Sequence, residues 1–275
     1  MVLLLLSVAL FCVSVMGAPK PQIIDLGYPM DNNTIFWPGV QRFNIILRTR
    51  QIDQGGIPWF AVNTFETAEH VGTHIDAPFH FNETGWKLGN IPEDRFFTKA
   101  VLIDVSAEVG DNRDFDLLPS HITKWEKENG MCVPEGSVVL VRFGWSKKYY
   151  TNYNQYFGIT NNDSSKLNFP GLSPMAAGVF VNRKVYGVGL DTPSLDSGKN
   201  VTFNAHRVLL GANKFGLENL NLTSPDLPIG SEFKLHILPI KITEGTGAPS
   251  RVIAFVGPET KTGKKWYRRD LNCDK

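Results

Sequence analysis

Short apolar runs rich in Val, Ile and Leu recur along the chain, each bounded by Gly, Pro, Asn or Asp. They are PQIIDLGY, RFNIILR, KAVLIDV, SVVLVRF, KVYGVGL, FKLHILPIKI and RVIAFVG. Runs of this length and residue choice predict β-strands. Three stretches carry helix signals instead. LLPSHITKWEKENG has Pro119 and Ser120 near its start and Gly130 at its end. SPMAAGVFVNRK opens on Ser173 as an N-cap, with Pro174 at the first helical position. FNAHRVLLGAN offers Asn204 as a cap. The alternation predicts an α/β domain. The stretch from Lys147 to Pro170 is aromatic, polar and aperiodic, and it reads as a long surface loop.

Composition narrows this picture. The 275 residues are enough for a sizeable core. With 42% hydrophobic and 20% charged residues the chain is globular rather than disordered. A formal net charge of +1, with no long basic or acidic run, argues against electrostatic binding to nucleic acid or a membrane surface. The opening MVLLLLSVALFCVSVMGAPK is a short apolar run ending in small residues. It predicts a secretory signal peptide over residues 1–17, cut near Gly17 or Ala18, with an uncleaved anchor as the alternative. Residues 18–275 then form one domain, because no linker divides them. No later run suits a membrane span.

Secretion changes how the cysteines read. Cys12 leaves with the signal peptide, so Cys132 and Cys273 remain. In an oxidising compartment they predict one disulfide, two free thiols being the alternative. Asn-x-Ser/Thr acceptors at Asn32, Asn82, Asn162, Asn200 and Asn221 suit the same compartment.

The chemistry concentrates in EHVGTHIDAPFHF, Glu69 to Phe81, which holds His70, His74, Asp76 and His80. A continuous helix puts His70 and His74 on one face but rotates Asp76 by about 200° from His74. Gly72, Thr73 and Pro78 also disfavour a helix. A straight strand is too long, since ten residues at roughly 3.3 Å span about 33 Å. Metal donors sit about 2 Å from the ion. The segment is therefore expected to be extended locally and bent at Gly72 and Pro78. Imidazoles and a carboxylate on such a turn suit Zn²⁺ or Mn²⁺; a polar surface patch is the alternative. A second donor segment is DTPSLDSGKNVTFNAHRVLLGANKFGLENL, with His206 on a helix and Glu218 after it. Spacing alone leaves that pair equally readable as a helix histidine and a solvated glutamate. No G-x-S-x-G elbow and no H-E-x-x-H motif is present.

HVGTHIDAPFHF resembles the H-x-G-T-H-x-D-x-P-x-H-[FY] signature of the cyclase family, which includes bacterial-type kynurenine formamidases and isatin hydrolases. IIDLGYPM, FWPG, VLVRFGW, FPGLS, VYGVGLDTPSLD, AHRVLL, ENL and GAPSRVIAF follow in family order, with Phe143 where the family usually has threonine. The resemblance implies a single compact α/β domain of the swivelling β/β/α type. It implies metal ligands at His70, His74 and Asp76, and a second ion held by Asp76, His206 and Glu218. It implies His80 as the catalytic acid/base. Metal identity, Zn²⁺ or Mn²⁺, and number, one or two, stay open.

These features predict metal-assisted hydrolysis of a small aromatic amide. A bound cation lowers the pKa of its water from 15.7 towards about 7 and stabilises the developing oxyanion. His80 then carries the proton to the leaving nitrogen. Phe36, Trp37, Phe79 and Phe81 are candidates to line an apolar pocket, Trp37 foremost. N-formylkynurenine is the leading substrate and isatin-type cyclic amides are the close alternative. A secreted binding protein without catalysis, or a purely structural metal, are the readings from other classes. The resemblance also suggests a homodimer or larger assembly. His121 and His236 are expected to stand outside the site.

Overall fold

The structure, a computed structural model, describes residues 20–51, 58–161, 163–257 and Cys273. The expected signal peptide and the acceptor Asn162 lie outside the described residues. The chain runs through β1 (Gln22–Asp25), β2 (Asn44–Gln51), β3 (Phe60–Glu66), β4 (His74–Asp76), β5 (Phe97–Asp104), α1 (Ser106–Val109), β6 (Asp116–Leu117), α2 (Pro119–Asn129) and β7 (Ser137–Arg142). It continues through α3 (Trp145–Tyr149), α4 (Tyr153–Phe157), β8 (Gly171–Leu172), α5 (Pro174–Asn182), β9 (Gly187–Leu190), α6 (Asn204–Gly211), β10 (Phe215–Glu218), β11 (Phe233–Pro239) and β12 (Gly247–Val256).

Eight strands make one sheet in the order β1, β12, β11, β5, β7, β9, β10, β4. β4 also pairs with β12, so the sheet closes into a barrel. Strands β5, β7, β9 and β10 are parallel, and β4 runs antiparallel to both of its neighbours. Parallel strands covered on both faces read as continuous apolar runs, as KAVLIDV and SVVLVRF do. Their alternation splits the core in two. Ala100, Leu102, Val138 and Leu140 point inward with Ile75, Leu217 and Leu235. Val101, Ile103, Val139 and Val141 point outward, against Ala176, Ala177 and Phe180 of α5 and Ala205 and Leu209 of α6. The single α/β domain expected from the sequence is present, with the barrel at its centre.

Two local expectations are corrected. The stretch from Lys147 to Pro170 is not a surface loop. It contains the end of α3 and all of α4, and Tyr156, Phe157 and Phe169 are fully buried. Helices of five residues are too short to show a period, and their aromatics pack inward, with Trp145 Nε1 donating to the Tyr156 carbonyl at 2.8 Å. Asn204 is not the cap of α6. Phe203 holds that position at φ +52°, and the Asp196 carboxylate accepts from Ala205 N at 2.7 Å and His206 N at 3.0 Å. A cap reaching in from eight residues upstream carries no local sequence sign. Ser173 does cap α5, accepting from Ala176 N at 3.1 Å. Cys132 and Cys273 form a disulfide across 141 residues.

Candidate metal centre and active site

The site grows out of strand register. β4 pairs with β10 so that His74 faces Glu218 and Asp76 faces Gly216. Ile75 and Leu217 enter the barrel interior. Side chains alternate along a strand, so His74, Asp76 and Glu218 share the opposite face, the one α6 packs against. Gly216 leaves room for Asp76, since a Cβ there would stand 3.2 Å from Asp76 Oδ2. The expected bends are present on either side. Gly72 has φ +62°, and Pro78 opens a short 3₁₀ turn, Pro78–His80, that swings His80 back towards His70. The His70 and His80 rings stack at 3.9 Å. His206 arrives from the first turn of α6.

Each of three imidazoles spends one nitrogen on the protein and aims the other at a carboxylate. His74 Nδ1 meets the Gly72 carbonyl at 2.9 Å, His206 Nδ1 meets Asp196 Oδ2 at 2.7 Å, and His70 Nε2 meets Thr246 Oγ1 at 2.9 Å. Thr246 in turn donates to Glu69. The inner nitrogens converge. His74 Nε2 lies 3.3 Å from Asp76 Oδ1 and 3.4 Å from Glu218 Oε2. His206 Nε2 lies 3.3 Å from Asp76 Oδ2 and 3.2 Å from Glu218 Oε1. His70 Nδ1 lies 2.7 Å from Asp76 Oδ1. The His74 Nε2 contacts are close but poorly directed, and His74 Nε2 and Asp76 Oδ2 are buried without a hydrogen-bond partner. Buried polar atoms in that state call for a ligand. With the outer nitrogens holding their hydrogens, the inner lone pairs face carboxylate lone pairs, and a positive charge belongs between them.

The electrostatics agree. Burial opposes charge on His74, yet the adjoining carboxylates of Asp76 and Glu218 raise its pKa to about 10. His206 is raised well above the ordinary value in the same way, against its burial, by Asp196, Asp76 and Glu218. Burial would raise Asp76, but the adjoining imidazoles of His206, His70 and His74 hold it well below the usual carboxylate range. The residues fit a divalent cation. One donor atom each from His74, Asp76 and Glu218 lies within 4.8 Å of the others, and the same holds for His70, Asp76 and His80. His80 differs from the rest: burial lowers its pKa to about 4.

Over this floor lies a cavity of about 230 Å³. His70, His74, His80, His206 and Glu218 line its base, and Phe36, Trp37, Phe81 and Phe203 its walls. Phe81 packs 4.7 Å from the His206 ring, and Phe203 lies 6.0 Å from Trp37. Of the four aromatics proposed from sequence, Phe36, Trp37 and Phe81 are brought to the cavity. Phe79 is not among its lining residues; adjacent residues on the 3₁₀ turn diverge, and its ring faces the Lys87 ammonium at 5.2 Å. His121 and His236 stand apart, His121 accepting from Leu118 N at the start of α2 and His236 packing on Phe97 and Phe255. Phe143 is fully buried, and its backbone N–H donates to Asp191 Oδ1 at 2.7 Å, which requires no threonine hydroxyl. Asp196, Thr246 and Glu69 escaped the sequence reading. Only Glu69, adjacent to His70, left any sign there.

The family model described as "Putative cyclase" matches residues 24–197. An isatin hydrolase from Roseibium aggregatum is 32% identical over 259 residues, covering 89% of this chain and 90% of its own. The chain belongs to the cyclase family. This cyclase is a hydrolase. It is also 27% identical to a kynurenine formamidase of Salinibacter ruber, covering 86% of this chain and 99% of the relative. Isatin hydrolase A from Labrenzia aggregata, solved with benzyl benzoate, superposes with a TM-score of 0.76 at 31% identity, covering 86% of this chain and 94% of that one.

Proposed function

We propose that this cyclase hydrolyses a compact aryl amide in the cavity above the His74, Asp76, His206 and Glu218 cluster. One observation carries the reading: a small aromatic-walled chamber whose base is a buried, partner-deficient donor set, with a neutral imidazole at its edge. His70, His74 and Asp76, with His206 and Glu218, would hold one or two divalent cations, Zn²⁺ or Mn²⁺. A cation there supplies Lewis-acid charge and lowers the pKa of a coordinated water.

The remaining steps belong to the chain's own residues. Aromatic walls seat the ring and exclude bulk solvent. His80, neutral because burial disfavours its charged form, accepts the proton as the water oxygen bonds to the amide carbonyl carbon. It returns that proton to the nitrogen as the C–N bond breaks, leaving a carboxylic acid and an aryl amine. A closed structural site would have no use for this ionisable group.

Two features of the chamber support reading the smaller of the two substrates first. Pockets for drug-sized ligands run to about 300–1,000 Å³; this one holds about 230 Å³, and no lysine or arginine lines it among the described residues. An isatin-type cyclic amide needs no such cation. N-formylkynurenine carries an amino-acid carboxylate, and it is the second reading, supported by the kynurenine formamidases among the relatives. Incubation with each substrate, with and without chelator, tests both. Turnover that survives complete metal removal would discard the mechanism.

Secretion is part of the proposal. The apolar N-terminal run, the Cys132–Cys273 bond and the acceptors at Asn32, Asn82 and Asn221 support it. Asn200 is the weakest acceptor, because its amide nitrogen donates to Asp196 Oδ1 at 2.7 Å. A mature N-terminus near residue 18 in the culture medium, and a mass shift on glycosidase treatment, are the expected signs. A protein found only inside cells, starting at Met1, would overturn it.

A further inference from the structure

Ser194 is 2% exposed, and its hydroxyl has no hydrogen-bond partner among the described residues. It lines the cavity above the donor cluster. Burying a hydroxyl without a partner is costly, and a native structure that does so is holding it for something. The backbone around it is fixed. Thr192 Oγ1 donates to the Ser194 carbonyl at 3.1 Å, and the next residue, Leu195, donates its N–H to Glu218 Oε1 at 2.8 Å. Ser194 therefore stands one residue from the point where the chain grips a carboxylate of the cluster. Trp37 and Phe203 line the same cavity beside it.

We propose that Ser194 donates a hydrogen bond to a ketone oxygen carried on the ring position ortho to the scissile nitrogen, so that this site selects ortho-acyl anilides. The proposal rests on the aryl-amide reading of the cavity. Isatin and N-formylkynurenine both carry a ketone at that position, which is the chemistry the two have in common beyond the amide itself. An anilide without it leaves Ser194 unpaired in the complex, and a site built around a hydrogen bond rejects such a ligand.

The test separates this inference from the catalytic one by measuring binding without turnover. Calorimetry compares 2-aminoacetophenone, which carries the ketone and no scissile amide, with 2-ethylaniline, in which the ketone is replaced by methylene. The wild-type metal-loaded protein is expected to bind the ketone roughly tenfold more tightly, the range of one neutral hydrogen bond. Ser194→Ala should abolish that preference while leaving 2-ethylaniline binding and metal content unchanged. Ser194→Cys, a weaker donor in the same space, should keep a fraction of it. A preference that persists in Ser194→Ala, or a wild-type protein that does not distinguish the two ligands, overturns the proposal. A parallel assay compares kcat/KM for isatin and for formanilide, which lacks the ketone. Loss of about tenfold on isatin alone supports it, and an equal loss on both substrates overturns it by marking a structural role. If the wild type turns over neither, the catalytic reading fails, and the binding comparison still decides the role of Ser194.

Discussion

Two β structures in this molecule invert the usual rule. On β4, β10 and α6, the ionisable residues His74, Asp76, Glu218 and His206 are each no more than 5% exposed. On β2 and β3, a two-stranded sheet apart from the barrel, Ile46, Leu47, Val62 and Phe65 are 53%, 58%, 54% and 52% exposed. Side-chain polarity did not decide burial in either place. What decided it was whether the opposite strand and the next layer supplied partners. The floor of the site sets acid and imidazole against each other, so charge survives burial even where His74 Nε2 and Asp76 Oδ2 lack a hydrogen bond. The β2–β3 pair has each other for its backbone and no covering layer among the described residues.

Substitutions sharpen this contrast. The largest effect is expected at His80, which the proposal sets against the reacting atoms: His80→Ala should keep the metal and lose about 10²–10⁴ in kcat. If the metal leaves as well, His80 is a ligand instead. Its pKa, lowered to about 4 by burial, sets the sign of the pH dependence. The neutral base persists where a free imidazole, of pKa about 6.5, gains its proton. The His80 ring should therefore titrate below about pH 5 when followed by NMR, whatever acid limb the coordinated water adds to the rate profile. A midpoint near 6.5 for that ring would refute this assignment.

Next comes Asp76. In metal-free protein Asp76→Ala leaves Glu218 as the one carboxylate that His74 and His206 share and strips His70 of its carboxylate partner, a loss expected to cost about 3–5 kcal/mol of stability, read by denaturant unfolding. A loss below about 1 kcal/mol would show that the cluster relaxes freely. Asp196→Ala removes the acceptor that fixes the His206 ring and the cap of its helix. It should weaken metal binding by about 10–100-fold in a competition titration, and unchanged affinity would reduce Asp196 to a helix cap. At the small end, Leu47→Ser on the arm should shift stability by no more than about 0.5 kcal/mol. A larger loss at constant protein concentration would mean that something covers the arm in solution.

Sequence pattern revealed the barrel better than its surroundings. Buried parallel strands announce themselves as unbroken apolar runs, and β5, β7 and β9 did so. The two-residue strands β6 and β8 are too short to show any pattern, and the five-residue helices α3 and α4 hid inside an aromatic stretch. FAVNTF, most of the strand β3, is absent from the runs that read as strands. At the site, the histidine-rich segment was legible because glycine and proline marked its bends. His206 and Glu218 became candidates by resemblance, since the β4–β10 register that aligns Glu218 with His74 joins residues 144 positions apart. Ser194 and Asp196 were invisible for a different reason. An unpaired hydroxyl and a remote cap exist only once the chain has closed around them.

β4 is only three residues long, yet it is the stave that joins β10 to β12 and shuts the barrel. Two of those three residues face the donor cluster. An ion held there would act as a rivet through the seam of the whole fold, so chelation should lower the melting temperature as well as the rate, and added ion should raise it with concentration. For such a protein, metal supply would govern survival in its surroundings before it governs turnover.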